Sequence, residues 1–162
     1  ITAYWKGFKE YHQAGISTSL PKMWGFQAAG AAPIVEGRII TEPDTIATAI
    51  RIGNPASWTL AEEARDESGG RISAVTDEQI LAAQRALGAH EGIFVEPGSA
   101  ASVAGLLAAV EAGEVEAGQT ITVTVTGHGL KDIDTPLAHR EPTAPIVIDF
   151  DVAQAAKVAG LE

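Results

Sequence analysis

The segment Thr126 to Asp132 (TGHGLKD) holds the residues best suited to chemistry. Thr126 offers a hydroxyl that can both donate and accept a hydrogen bond. Gly127 and Gly129 flank one residue, and glycines let a backbone approach a bound group closely. The segment predicts a ligand contact at the end of a strand. A tight turn with a strand-end threonine explains the same pattern, because a short Gly-x-Gly is common.

Two other segments hold candidate residues, although local structural rules are the favoured explanation of both patterns. Glu96 and Ser99 lie in EPGSAAS, where a strand should end and a helix begin, and small side chains there leave room for a ligand. Ordinary capping by Ser99, with Glu96 in solvent, explains them. Asn54 lies in RIGNPASW, which a helix stop, a turn and a new N-cap at Ser57 also explain.

Several site classes are excluded or not indicated. The chain has no cysteine, which excludes disulfides, thiolate zinc sites and a cysteine nucleophile. A nucleophile elbow, a dinucleotide fingerprint and a phosphate-binding loop with Lys-Ser/Thr are absent. No metal site is predicted, because the four histidines show no ligand spacing. No lysine is singled out as a Schiff-base lysine by its surroundings. The histidines and lysines are His12, His90, His128, His139, Lys6, Lys9, Lys22, Lys131 and Lys157.

Apolar periodicity and capping residues predict the elements that must position these groups. Helices are expected from Ile1 to Gly15, from Pro43 to Gly53, from Ser57 to the glycines at 69–70, after Thr76, over 99–113 and over 151–160. Strands are expected at 22–27, 71–75, 93–97, 120–127 and 145–150, with 120–127 the clearest.

Alternating strands and helices predict an α/β fold, a largely parallel sheet flanked by helices, in a single domain over 1–162. Ligands of such sheets bind beyond the carboxyl ends of the strands. Candidate residues therefore follow the predicted strands at 71–75, 93–97 and 120–127.

Composition narrows the possible partners. The chain has 162 residues, 46% of them hydrophobic, and a formal net charge of −10. An acidic chain without a basic run argues against nucleic-acid binding. No apolar stretch is long enough to cross a bilayer. The absence of cysteine and of a signal peptide fits a cytoplasmic protein. The chain does not begin with Met, and its first residue already lies inside a helical pattern, which is expected of a cut chain.

Four segments, in order and over nearly the whole chain, resemble bacterial threonine synthases: ITAYWKGFKEY, AIRIGNPASW, FVEPGSAASVAGLL and VTVTGHGLKD. The resemblance implies the three-layer fold of the tryptophan synthase β subunit. It also implies pyridoxal 5'-phosphate as cofactor and conversion of O-phosphohomoserine and water to threonine and phosphate. On the same resemblance, Thr126 is the neutral hydroxyl at the pyridine nitrogen, and Glu96, Ser99, Asn54 and Gly127 are pocket-lining candidates.

The resemblance further implies what this chain lacks. In the family, the Schiff-base lysine and the loop that wraps the cofactor phosphate belong to the N-terminal half. The chain is therefore expected to be the C-terminal portion, without a catalytic residue of its own and inactive alone. Its expected partners are the N-terminal half and, in a homodimer, a second copy.

Two alternatives stay open from the sequence. One is a threonine or serine dehydratase-like lyase, which would release ammonia from serine or threonine rather than phosphate from O-phosphohomoserine. The other is a non-catalytic α/β module that binds a partner or a small ligand.

Overall fold

The computed structural model describes residues 1–138 and 145–161. Helices and strands follow one another in an α/β order. They are α1 (Thr2–Gln13), β1 (Trp24–Ala28), α2 (Pro33–Glu36), α3 (Trp58–Glu67), β2 (Arg71–Val75), α4 (Asp77–Ala86), α5 (Pro97–Glu111), α6 (Asp134–Ala138) and α7 (Val152–Val158). Short 3-10 turns lie at Thr48–Ile50 and Gly129–Lys131, and a π-helical turn at Leu87–Glu91 extends α4.

The two strands form the sheet of the described residues. They pair in parallel, with Trp24 opposite Arg71 and Ala28 opposite Val75. A parallel pair needs a long crossover connection, and α2 and α3 lie within it. At the start of the pair the Arg71 guanidinium lies 4.1 Å from the centroid of the Trp24 ring. The α/β fold predicted from the sequence is confirmed.

The main core lies where α4 and α5 pack on the sheet. Its buried members are mostly small: Ala28, Ala47, Val75, Ile80, Ala83, Val95, Ala100, Ala101 and Ala104. Because alanine side chains are small, the backbones of these elements approach one another closely. The closest approach is at Gly105 of α5, where an added Cβ would overlap the ring of Phe26. The core therefore fixes α5, and with it the start of that helix, against β1.

Local signals start and stop the two helices of this core. The Thr76 hydroxyl accepts from the Gln79 amide, and the Gln79 side chain accepts from the Thr76 amide, as the predicted capping box requires. Pro97 opens α5 at a position where a missing N–H costs nothing. A buried hydrogen bond of 2.8 Å from Gln84 Nε2 to the Val95 carbonyl then ties α4 to the segment before α5.

A second cluster joins α1 to α3 through Trp5, Met23 and Ala64. Glu67 accepts hydrogen bonds from Trp5 Nε1 at 2.6 Å and from Lys9 Nζ at 2.7 Å. Trp5 is the buried member of the apolar stripe predicted for the first helix. Three other aromatic residues of that stripe or beside it, Tyr4, Phe8 and Tyr11, are 51%, 42% and 56% exposed.

The helix predicted from Pro43 is wrong. That segment holds a 3-10 turn over Thr48–Ile50 because side chains take the backbone donors that a helix would use. Asp77 accepts from the Thr45 hydroxyl and from the Ile46 amide, and the Thr45 hydroxyl accepts from the Ala47 amide. Such side-chain bonds compete with helix formation.

Three predicted strands are also wrong as ladder-forming strands. Segment 93–97 contributes an isolated antiparallel bridge between Val95 and His128. Segment 120–126 and segment 145–150 carry no strand. The alternation holds over 122–126, where Val123 and Val125 are half-buried and the threonines are exposed, but Ile121 is 47% exposed. Alternation specifies which face is buried, but a strand also needs a hydrogen-bonding neighbour, and the described residues provide none. The remaining predicted helices and strands are confirmed, with ends shifted by a few residues.

In the described ranges, no helix has both the length and the apolar character that a membrane span requires.

The contact between α1 and α3 should depend on pH through Glu67. The hydrogen bond from Lys9, followed by that from Trp5, holds the pKa of the Glu67 carboxyl below its ordinary value. A depressed folded pKa gives stability that is complete above the unfolded pKa, about 4.3, and is lost as pH falls through the folded pKa. We expect the Trp5 indole N–H resonance to titrate in that acidic window. In Glu67→Gln, which cannot ionise, it should stay constant; equal titration in both proteins would contradict the assignment.

Candidate functional site

The candidate site forms where the segment after 120–125 returns to the start of α5. The Glu96 amide donates to the Gly127 carbonyl at 2.9 Å, and the Gly129 amide donates to the Phe94 carbonyl at 3.1 Å. With the bridge between Val95 and His128, these bonds join two short stretches, 94–96 and 127–129, in antiparallel orientation. The predicted strand ends therefore meet, although neither belongs to the sheet.

Both glycines of the TGHGLKD segment are required by close contact. A Cβ on Gly127 would overlap Glu96 side-chain atoms from Cγ to Oε1, and one on Gly129 would lie 2.5 Å from the Phe94 ring. The expectation that these glycines let the backbone approach a bound group stays a prediction. The groups that they approach are side chains of this same chain.

Glu96 is buried at the N-terminus of α5. The residue is 7% exposed, and its Oε1 atom lies 3.3 Å from Lys131 Nζ. Its backbone carbonyl accepts from the amides of Ser99 and Ala100, which makes it the N-cap of the helix. The positive end of the helix dipole favours a carboxylate at this place. The reading of Glu96 as a solvated residue is therefore wrong.

Ordinary helix capping was the alternative role predicted for Ser99, and the structure gives Ser99 a different role. It is 5% exposed and lies two residues into α5, and its hydroxyl accepts from the Thr126 amide at 2.8 Å. Ser102 on the next turn donates to the Ser99 carbonyl at 2.9 Å. Ser99 thus fixes the backbone of Thr126 to the helix.

Thr126 is held on both sides while its side chain stays accessible. Its amide is bound by Ser99, and the next carbonyl, that of Gly127, is bound by Glu96. The residue is exposed, and within residues 1–138 and 145–161 its hydroxyl makes no hydrogen bond. A fixed backbone with an uncommitted hydroxyl can present one neutral donor or acceptor to a ligand.

Four of the five predicted residues therefore come together: Glu96, Ser99, Thr126 and Gly127. No hydrogen bond among the described residues joins Asn54 to them, and it is exposed. Its segment does lie beside the start of α5, since an added Cβ on Gly98 would come within 3.2 Å of Ala49 and 3.5 Å of Ile50. The role of Asn54 in a pocket stays a prediction.

Sequence reasoning missed Lys131 as part of this cluster. The signal available was its place in the TGHGLKD segment, shortly after residues that were singled out. The pairing with Glu96 needed the fold, because the two residues are 35 positions apart.

In the described part of the chain, no group of three or more histidines and carboxylates is placed to hold a metal ion. One of the four histidines, His139, lies outside the described residues.

Comparison with known proteins shows the family to which the chain is similar. Residues 1–127 match the family model described as pyridoxal-phosphate dependent enzyme. The chain is 57% identical over 149 residues to threonine synthase of Mycobacterium bovis, covering 92% of this chain and 41% of that protein. It is 58% identical over 138 residues to threonine synthase of Halalkalibacterium halodurans, covering 85% and 39%. The chain therefore spans about two-fifths of the length of these relatives.

A solved structure supports the fold. L-serine ammonia-lyase from the fungus Rhizomucor miehei superimposes with a TM-score of 0.60 over 82% of this chain and 44% of that chain. The two sequences are 19% identical, so the likeness bears on the fold alone. The resemblance to threonine synthases found in the sequence is confirmed by the similarity to the bacterial relatives.

The close contact at Gly127 gives a test of the site geometry. Gly127→Ala should lower the free energy of unfolding by about 1–3 kcal/mol, the usual cost of overpacking, because the new methyl group meets the buried Glu96 side chain. Gly7→Ala is the matched control, since Gly7 lies inside α1 with nothing within 4 Å of an added Cβ. That control should raise the free energy of unfolding by about 0.5–1 kcal/mol. Urea denaturation checks both, and equal effects would contradict the close contact.

Proposed function

This chain belongs to the family of pyridoxal-phosphate dependent enzymes, and on that premise we propose that it forms part of a threonine synthase. The proposed reaction converts O-phosphohomoserine and water to threonine and phosphate. Its support is the 57–58% identity to bacterial threonine synthases over 85–92% of the chain. The observation that carries the proposal at the level of the site is the fixed and uncommitted hydroxyl of Thr126.

The residues around Thr126 fit the pyridine ring of the cofactor. When bound, pyridoxal phosphate supplies an electron sink that stabilises a carbanion on the substrate. Thr126 would hold the ring nitrogen with a neutral hydroxyl, which leaves that nitrogen without a full negative charge beside it. The carboxylate of Glu96 lies nearby, but it is buried under Gly127 and paired with Lys131. The chain therefore offers the ring a hydroxyl rather than a free carboxylate.

The covalent anchor of the cofactor is proposed to come from a part of the protein outside these residues. None of the five lysines is buried, although burial is one way to lower the pKa of a lysine that attacks a carbonyl. Lys6, Lys9 and Lys131 also form ion pairs with Glu10, Glu67 and Glu96. Together with the two-fifths of the relatives' length that the chain spans, these facts support a division of the site between this chain and a further portion.

The assembly and location of the protein stay proposals as well. Large apolar side chains are exposed on α1, α5 and the segment 120–126, including Phe8, Leu107 and Ile121. Exposed apolar surface of this kind is typical of a contact region, which supports association with the further portion and with a second copy. A cytoplasmic location, predicted from the sequence, is not tested by the fold.

Substrate choice tests the proposed reaction. The protein at the full length of its relatives, supplied with pyridoxal 5'-phosphate, should release phosphate and threonine in equal amounts from O-phosphohomoserine. The 162-residue chain alone should release neither, since it lacks a buried lysine. Colorimetric phosphate and amino-acid analysis measure both products. Ammonia from serine or threonine, without phosphate from O-phosphohomoserine, would instead identify a dehydratase-like lyase.

Substitution of Thr126 tests the contact with the cofactor. In the full-length protein, Thr126→Ala should weaken binding of pyridoxal 5'-phosphate by about 1–3 kcal/mol, because the ring nitrogen loses its partner. Thr126→Ser keeps the hydroxyl and should bind nearly as well as the wild type. Thr124→Ala, an exposed threonine in the same extended segment, is the matched control. Equilibrium dialysis measures the affinities, and unchanged affinity in Thr126→Ala would rule out the assignment.

A further inference from the structure

The carboxylate of Glu96 is buried without the side-chain hydrogen bond that an N-cap residue usually makes. Its side chain is 10% exposed, and the carboxylate receives no hydrogen bond from the first amides of α5, although the residue is the N-cap. A buried charge is costly without a partner. In the described ranges its ion-pair partner is the ammonium of Lys131, 3.3 Å from Oε1. Lys131 is therefore the residue that compensates the charge of Glu96.

Lys131 comes from the same loop that carries Thr126. It ends the 3-10 turn Gly129–Lys131, and its amide donates to the His128 carbonyl at 3.1 Å. The ion pair thus fastens the far end of the loop to Glu96. The near end is fastened to α5 by Ser99, through the Thr126 amide. Gly127, between these two attachments, rests against the Glu96 side chain itself.

We propose that Lys131, paired with Glu96, is a positioning residue that sets where the Thr126 hydroxyl stands relative to the cofactor ring. This inference rests on the proposed function, because it concerns the residue assigned to the ring nitrogen. Lys131 itself touches neither cofactor nor substrate. It neutralises the buried carboxylate of Glu96, against which Gly127 packs. The pair so holds the 126–131 loop in the position from which Thr126 meets the ring.

The pair fits this role better than that of a general stabiliser. The Lys131 side chain is 63% exposed, so an ordinary surface ion pair with such exposure contributes little. The pair of Lys131 and Glu96 differs from an ordinary surface pair in two ways. Glu96 is buried, and the backbone of Gly127 packs directly against the Glu96 carboxylate. Loss of the ammonium leaves a buried charge that movement of the loop away from α5 would relieve, because water then reaches Oε1.

The test uses the full-length protein and pyridoxal 5'-phosphate as the probe. Lys131→Met should weaken cofactor binding roughly tenfold, between the effects of exposed and buried ion pairs. Lys131→Arg should restore it, because the guanidinium also carries the charge. Lys157→Met, on the exposed face of α7, is the matched control and should bind as the wild type. Without cofactor, amide hydrogen exchange over 126–131 should be roughly tenfold faster in Lys131→Met alone.

A double-mutant cycle separates positioning from direct contact. If Lys131 acts through Thr126, Lys131→Met should add little to the loss already caused by Thr126→Ala. Additive losses, unchanged affinity in Lys131→Met, or cofactor fixed on Lys131 by borohydride would each overturn the proposal. None of these readouts depends on the substrate, so failure to form threonine in the wild type would reject the proposed function and leave the role of Lys131 decidable.

Discussion

The contact of the Gly127 backbone with the buried side chain of Glu96 is the constraint on which the candidate site depends. A side chain at position 127 would overlap the Glu96 side chain, so that either Glu96 or the returning segment would have to shift. The backbone bonds from Glu96 to Gly127 and from Gly129 to Phe94 lie at this same contact. Together with the bond from the Thr126 amide to Ser99, the contact fixes the backbone that carries the Thr126 hydroxyl.

The close contact depends in turn on how α5 is seated. Alanines and one glycine along α5 let the helix lie close to β1 and α4, and the Gln84 side chain fixes the carbonyl of Val95 just before the helix begins. Here small residues exclude water because they let the elements lie close together, and not because their side chains fill the space. A carboxylate at the N-cap gains from the helix dipole and still requires a cation, which the loop itself supplies.

The sequence was sufficient where the determining interactions are local. The capping box of Thr76 and Gln79 could be predicted because residues three positions apart decide it. The pattern at 71–75 predicted a strand correctly because its pairing partner, β1, is also present among the described residues. The segment at 43–50 could not be predicted, because Asp77, far along the chain, accepts from the Ile46 amide and from the Thr45 hydroxyl. The strand at 120–127 failed for another reason: alternation reports burial, while pairing depends on a neighbour that the described residues do not contain. Within the site, Thr126 followed from the resemblance, whereas the ion pair of Glu96 and Lys131 joins residues whose proximity only the fold reveals.

Glu96, Ser99 and Thr126 lie on one continuous stretch, from Phe94 through α5 to Lys131. The turn between the two halves of this stretch is exposed, with Gly113 and Gly118 in left-handed conformations. Doubling the length of such a loop costs only about 0.6 kcal/mol in closure entropy. Insertions near 112–119 would thus lengthen the turn without disturbing its ends. Because both sides of the contact lie on this one stretch, a recombination that moved it whole would carry the contact with it, and its turn could vary in length at low cost.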